Sequence, residues 1–190
     1  MTSKNLCENP LHPKNHKTRI FGKSSALAFE INSDNSQGSI RSEYTSANDG
    51  FYLNLEIAPA KDHGEFDWNS ANSIFFKLTE NEVLSLTSVF LRVKQTHEFR
   101  NRKTTHRGHS AYKNLNITPN KGEGLYFSAG VIPANESNFH KCIHHIPINQ
   151  MDCLKVGMFL LGYLTLKMPW MSSDSIITAL RLSESKQISV

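Results

Sequence analysis

Nine His and three Cys are the residues of this 190-residue chain whose chemistry raises a first question, that of a bound metal. Cys7-x4-His12-x3-His16 offers three ligands near the N-terminus, and His140, Cys142, His144 and His145 form a second group. Neither has the paired spacing of a four-ligand structural zinc site. On an extended strand His140, Cys142 and His144 share one face and Lys141, Ile143 and His145 the other, so the group reads as polar strand surface. No metal and no other cofactor is expected. Catalysis lacks its usual scaffolds as well: Gly-x-Ser-x-Gly, Gly-x-Gly-x-x-Gly and Walker-type loops are absent. The acids Asp62, Glu65 and Asp67 cluster beside no partner base. The chain reads as non-enzymatic, with no catalytic residue.

Cations and aromatic rings make a stronger pattern. The formal charge of +4 conceals a segregation. Residues 1–23 hold five Lys/Arg against Glu8, and residues 24–91 hold three against ten acids. Residues 92–113 hold seven (Arg92, Lys94, Arg100, Arg102, Lys103, Arg107, Lys113) against Glu98 alone. Two basic segments around an acidic one point to a polyanion partner for part of the surface. The second basic segment interleaves with Phe99 and Tyr112, and neighbouring strands carry Tyr44, Tyr52 and Tyr126. Cations neutralise phosphates and release counterions, while exposed rings stack unpaired bases. No helical segment is basic along one side, as a duplex major-groove reader would be. The pattern therefore favours single strands, with Lys23, Tyr52, Asn54, Lys77, Arg100, Arg102, Lys113 and Tyr126 as the candidate contacts.

Strand alternation is what must position these residues. Leu27, Phe29 and Ile31 alternate with Ala28 and Glu30; Leu53, Leu55 and Ile57 alternate with Tyr52, Asn54 and Glu56. A short strand is expected at Ile40 to Thr45 and another at Ser73 to Leu78. Thr79 with Glu82 forms a capping box before a helix whose Val83, Leu86, Val89, Phe90 and Val93 lie on one stripe. Residues 95–111 read as a strand fragment and a loop. The order then begins again. Strands are expected at Tyr112 to Thr118, from Gly124, and at Phe139 to Ile148. Asn149 with Asp152 imitates the first cap, and a helix follows over roughly Gln150 to Lys167. Gly124-Leu-Tyr-Phe-Ser echoes Gly50-Phe-Tyr-Leu-Asn. The fold class is thus α+β, a tandem β-β-β-β-α repeat.

With 38% apolar and 20% charged residues and eleven Phe, the chain is not of disordered composition. Its longest strongly apolar stretch, Val156 to Leu164, is far short of the roughly 20 residues of a spanning helix. Three sparse Cys fit reduced thiols and a cytoplasmic setting, and no signal peptide is visible. The second helix is apolar nearly all round. Met158, Phe159, Leu161 and Leu164 are therefore assigned to contact with another copy of the chain.

Several short pieces, in order, resemble the Whirly family of single-stranded DNA-binding proteins, which share their architecture with guide-RNA-annealing proteins. Gly22-Lys23-Ser24-Ser25-Ala26-Leu27 resembles the family's Lys-Gly-Lys-Ala-Ala-Leu element, though Phe21 stands for the first Lys and one extra residue precedes Ala26. Asp49-Gly50-Phe51-Tyr52-Leu53 with Leu55-Glu56-Ile57-Ala58-Pro59-Ala60 resembles its third strand, and Phe66-Asp67-Trp68 its Tyr-Asp-Trp loop. Ile146-Pro147-Ile148 and Met168-Pro169-Trp170 resemble its closing segments. The resemblance spans about Phe21 to Trp170. It implies two packed antiparallel sheets with the helices at one side, a homotetramer assembled through the helices, and single-stranded DNA bound with little sequence preference. It also gives Lys23 the place of the motif lysine implicated in higher assembly.

Residues 1–20 are then expected to be a flexible basic arm, 21–171 the binding domain and 172–190 a tail. The setting expected is a bacterial or mobile-element nucleoid, in repair, replication or transfer. Two rival readings keep the fold: an RNA-binding or annealing protein, and an accessory protein of a DNA-processing complex.

Overall fold

Alternating apolar residues can bury one face of a strand only if a second layer covers them. Here two sheets and two helices cover one another. The computed structural model describes residues 16–33, 50–106, 108–121, 124–134 and 141–185. β1 (Lys17–Phe21), β2 (Ser25–Ser33), β3 (Phe51–Pro59) and β4 (Ile74–Leu78) form one antiparallel sheet in that order. α1 (Glu80–Phe90) follows. β5 (His97–His106), β6 (His109–Pro119), β7 (Leu125–Pro133) and β8 (Cys142–Ile148) form a second antiparallel sheet, again in chain order, followed by α2 (Gln150–Lys167). The tandem repeat read from the sequence is the architecture, with a further strand at the start of the first repeat. The first repeat draws a strand from Lys17–Phe21, of which 17–20 fall in the stretch expected to be an arm. The strand expected at Ile40 to Thr45, with Tyr44, lies outside the described residues, as do residues 1–15.

Leu27, Phe29, Ile31, Leu53, Leu55 and Ile57 point into one apolar core shared with Leu115, Ile117, Phe127 and Ile146 of the second sheet. Ring contacts stitch the layers: Phe29 meets Phe90 of α1 edge-on at 5.8 Å, and Phe76 of β4 meets Phe99 of β5 at 5.5 Å. Both helix starts are built as their sequences promise. Thr79 Oγ1 accepts the Glu82 amide while Glu82 returns a carboxylate to the Thr79 amide. Asn149 Oδ1 accepts the Asp152 amide at 2.8 Å. Gly157 lets α2 touch α1, since a Cβ there would stand 2.6 Å from Leu91 Cδ2.

Two expectations about the second half and the C-terminus are corrected. Residues 97–106 are a full strand, not a fragment and a loop. A bulge between Phe99 and Arg102, with Asn101 left-handed at φ 56°, sets Phe99 and Arg102 both inward and so breaks the alternation that would have revealed it. Residues 173–185 are a third helix, α3 (Ser173–Ser185), rather than tail. Ile176 and Leu180, one turn apart, are buried against the first two helices. Only two of its side chains are buried, too few to stand out as a stripe. No helix among the described residues is long and apolar enough to cross a membrane.

Candidate nucleic-acid interface

Each strand turns its polar set outward, so each sheet has an outer face, and the two faces differ. In the second sheet, register aligns Asn114 with Gly130 and Ile143, and Asn116 with Ser128 and His145. Asn114, Gly130 and Ile143 with Asn116 and Ser128 line an open groove of about 250 Å³, bordered by Glu98 and Arg100 on the β5 side and Lys141 on the β8 side. At one end of this face Tyr126, 39% exposed, stacks on His145 with centroids 5.7 Å apart and planes 20° apart. Arg100 holds Glu98 at 2.9 Å, but both side chains are largely exposed, so the pair is weak and a phosphate can compete for the guanidinium. Asn114 Oδ1 already accepts the Asn101 backbone N–H at 2.7 Å, which leaves its side-chain NH2 to donate. That group, the exposed Asn116 amide, a stacked ring pair and cations at the rim can together hold unpaired bases and their backbone.

The outer face of the first sheet is partly roofed by the chain between β3 and β4. Asn69, left-handed at φ 52°, donates its backbone N–H to Glu56 Oε1 at 2.6 Å. Arg19 lies over the Trp68 ring at 5.1 Å, and Phe66 bridges Phe21 and Trp68. Lys61 pairs with Asp67 at 2.9 Å. Hydrogen bonds from Lys61 first and Ser70 second hold the Asp67 carboxyl below its ordinary range. Asp67 of the acidic cluster therefore serves the roof. Lys77 and Phe75 of β4 are exposed on this face, with Lys77 Nζ 3.9 Å over the Tyr52 ring.

The eight candidate contacts thus divide. Arg100 and Tyr126 share the outer face of the second sheet. Tyr52, Asn54 and Lys77 share that of the first, with Asn54 buried rather than displayed, at 7% exposure. Lys23 is exposed at the β1–β2 turn, which packs close to Ile146 of β8. Two candidates are committed elsewhere. Arg102 faces inward because of the bulge. It grips both oxygens of Glu82 at 3.0 Å and the Lys77 carbonyl at 2.6 Å, binding the second sheet to the first repeat. Lys113 donates to the Phe75 carbonyl, and burial pushes its amine below the ordinary lysine range. Of the four residues assigned to self-contact, Leu164 is a core residue of its own protomer and Phe159 and Leu161 are half-buried. Met158 is exposed, on an α2 face shared with exposed Met151 and Leu154.

Sequence reasoning missed Asn114, Asn116 and Lys141 as groove residues and His145 as the stacking partner of Tyr126. Alternation with Leu115 and Ile117 could have exposed the two amides. His145 was grouped by the sequence with His140, Cys142 and His144 as possible metal ligands rather than with the sheet face. His144 Nε2 contacts the Asn72 carbonyl at 2.6 Å and Cys142 Sγ at 3.2 Å. No three His, Cys, Asp or Glu among the described residues are placed to hold a metal. Cys7, His12 and His140 lie outside them.

Two four-stranded antiparallel sheets, each followed by a helix, define the Whirly fold, and this chain has it. WHY1 from Arabidopsis thaliana superposes with a TM-score of 0.61 at 19% identity, over 89% of this chain and 94% of that one. The plant transcriptional regulator PBF-2 gives 0.60 at 21%, over 83% and 84%. WHY3 from Arabidopsis thaliana gives 0.59 at 20%, over 82% and 89%. No family model and no curated protein sequence matches the chain.

Proposed function

We propose that this protein binds single-stranded DNA without catalysis and with low sequence preference, using the outer face of the second sheet as its main platform. The observation that carries the reading is the Tyr126–His145 stack at the end of a groove lined by Asn114, Asn116 and Ser128 and edged by Arg100 and Lys141. Every base has a π-face, so stacking worth about 1–3 kcal/mol per base tolerates any sequence. Phosphates meet Arg100, Lys141 and, at the junction of the sheets, Lys23. The fold shared with a plant transcriptional regulator adds support. The exposed Met151, Leu154 and Met158 give α2 an apolar face suited to a second copy, and a homotetramer is the assembly we infer.

Fluorescence anisotropy of labelled single-stranded DNA, matched RNA and duplex at two salt concentrations tests the function. Tight single-strand binding that weakens steeply with salt is expected. Duplex competing equally would sink it, and RNA binding more tightly would transfer the role to RNA. A monomeric mass in light scattering would remove the assembly.

A further inference from the structure

The outer face of the first sheet contains a group that phosphate binding does not explain. Glu56, in the middle of β3, is a carboxylate 7% exposed, with Phe75 directly across on β4. Oε1 takes the Asn69 amide, which uses one of about four acceptor positions of the carboxylate. Glu56 borders a cavity of about 380 Å³ lined also by Asn69, Ser73, Phe75, Thr105 and Lys113. Phe75 is 43% exposed there, a ring with room above it. Two positions back along the same face of β3, Asn54 Oδ1 is buried with no hydrogen-bond partner among the described residues. A surface meant only for a polyanion would not keep a carboxylate and an orphan acceptor side by side, because neither can meet a phosphate. Both call for N–H donors.

We propose that this cavity is a guanine pocket, in which the base stacks on Phe75 and presents N1–H and N2–H to the Glu56 carboxylate. Among the four DNA bases, guanine alone carries two adjacent N–H donors on its pairing edge, matching the two oxygens of one carboxylate. Thymine offers a single donor, N3–H, flanked by two carbonyls that the carboxylate repels. Cytosine and adenine offer one amino group beside a ring acceptor, which the carboxylate repels. Reading a splayed base by its pairing edge while an aromatic ring holds its face is the general way single strands are read. The inference rests on the nucleic-acid reading above and adds one selective position to an otherwise tolerant surface.

The test compares oligo-dT, the same strand with one central guanine, and the same strand with hypoxanthine there, which keeps N1–H but lacks the N2 amine. The guanine strand is expected to bind about tenfold tighter than oligo-dT, with hypoxanthine between them. Glu56→Gln, which keeps an acceptor for Asn69, brings the guanine advantage close to one. Equal binding of guanine and thymine strands by the unmodified protein overturns the pocket, as does an advantage that survives Glu56→Gln. The hypoxanthine comparison needs no variant and stands even if Glu56→Gln folds poorly. Tight but equal binding removes the guanine pocket alone, whereas no binding to any strand removes the function proposed above as well.

Discussion

The two sheets share a strand order and a following helix, yet among the described residues one outer face is partly roofed, with a cavity left at Glu56 and Phe75, and the other carries an open groove. In the first repeat the chain between β3 and β4 folds back, with Asn69 on Glu56 and Trp68 under Arg19. In the second, exposed Asn116 and half-buried Asn114 line an open groove beside a stacked ring pair. Duplication supplied the same scaffold twice, and the connecting chain decided which copy stays a platform. Loops make that choice at little cost to the core, because register and burial are set by the inner faces.

The largest effect that would sharpen this contrast is on affinity. Replacing Tyr126 and His145 together by Ala is expected to weaken single-strand binding about 10- to 100-fold, the loss of one stacking platform. Tyr52→Ala, under Lys77, should weaken it by no more than about threefold. Equal losses in anisotropy titrations would break the distinction between the faces. Next comes the pair of arginines two residues apart. Arg102→Ala should lower the urea-denaturation free energy by about 1–3 kcal/mol, since it loses charge-assisted bonds to Glu82 and Lys77, while binding changes little. Arg100→Ala should do the reverse, leaving stability within about 0.5 kcal/mol and reducing the salt slope of binding by about 1. Trp68→Ala opens the roof and should cost about 1–2 kcal/mol in the same denaturation experiment, with the groove of the second sheet unaffected.

The smallest effect concerns pH. His97 is half-buried at the start of β5, and burial first, then Lys94, lowers its pKa below 6.5. The unfolded chain therefore binds more protons than the folded one between that lowered value and 6.5. Stability should fall as pH drops through this window and level off below it. His97→Asn should flatten the profile of urea midpoints measured from neutral to acidic pH.

Sequence alone gave most of the scaffold because the scaffold is local. Alternation at Leu53, Leu55 and Ile57 and the caps at Thr79 and Asn149 are visible within a few residues of themselves. The gaps have physical causes. β1 buries only Thr18 and Ile20, too short a run to announce a strand, and α3 buries only Ile176 and Leu180. The bulge at Asn101 shifted the period of β5 and, with it, the direction of Arg102. The site was harder still to see. Whether a lysine is free depends on what lies opposite, and Lys113 meets the carbonyl of Phe75 from another sheet. Composition marked the basic segment correctly as unusual but could not separate a cation that reaches solvent from one that fastens two layers.

Glu82 belongs to both repeats at once. Its carboxylate closes the first turn of α1 and also receives the guanidinium of Arg102 from β5. Fraying of that turn would release the bulged strand, and detachment of the strand would loosen the turn. Such mutual dependence removes partly open states in which one repeat is intact and the other melted. A chain made of two similar halves is thereby expected to unfold in one cooperative step.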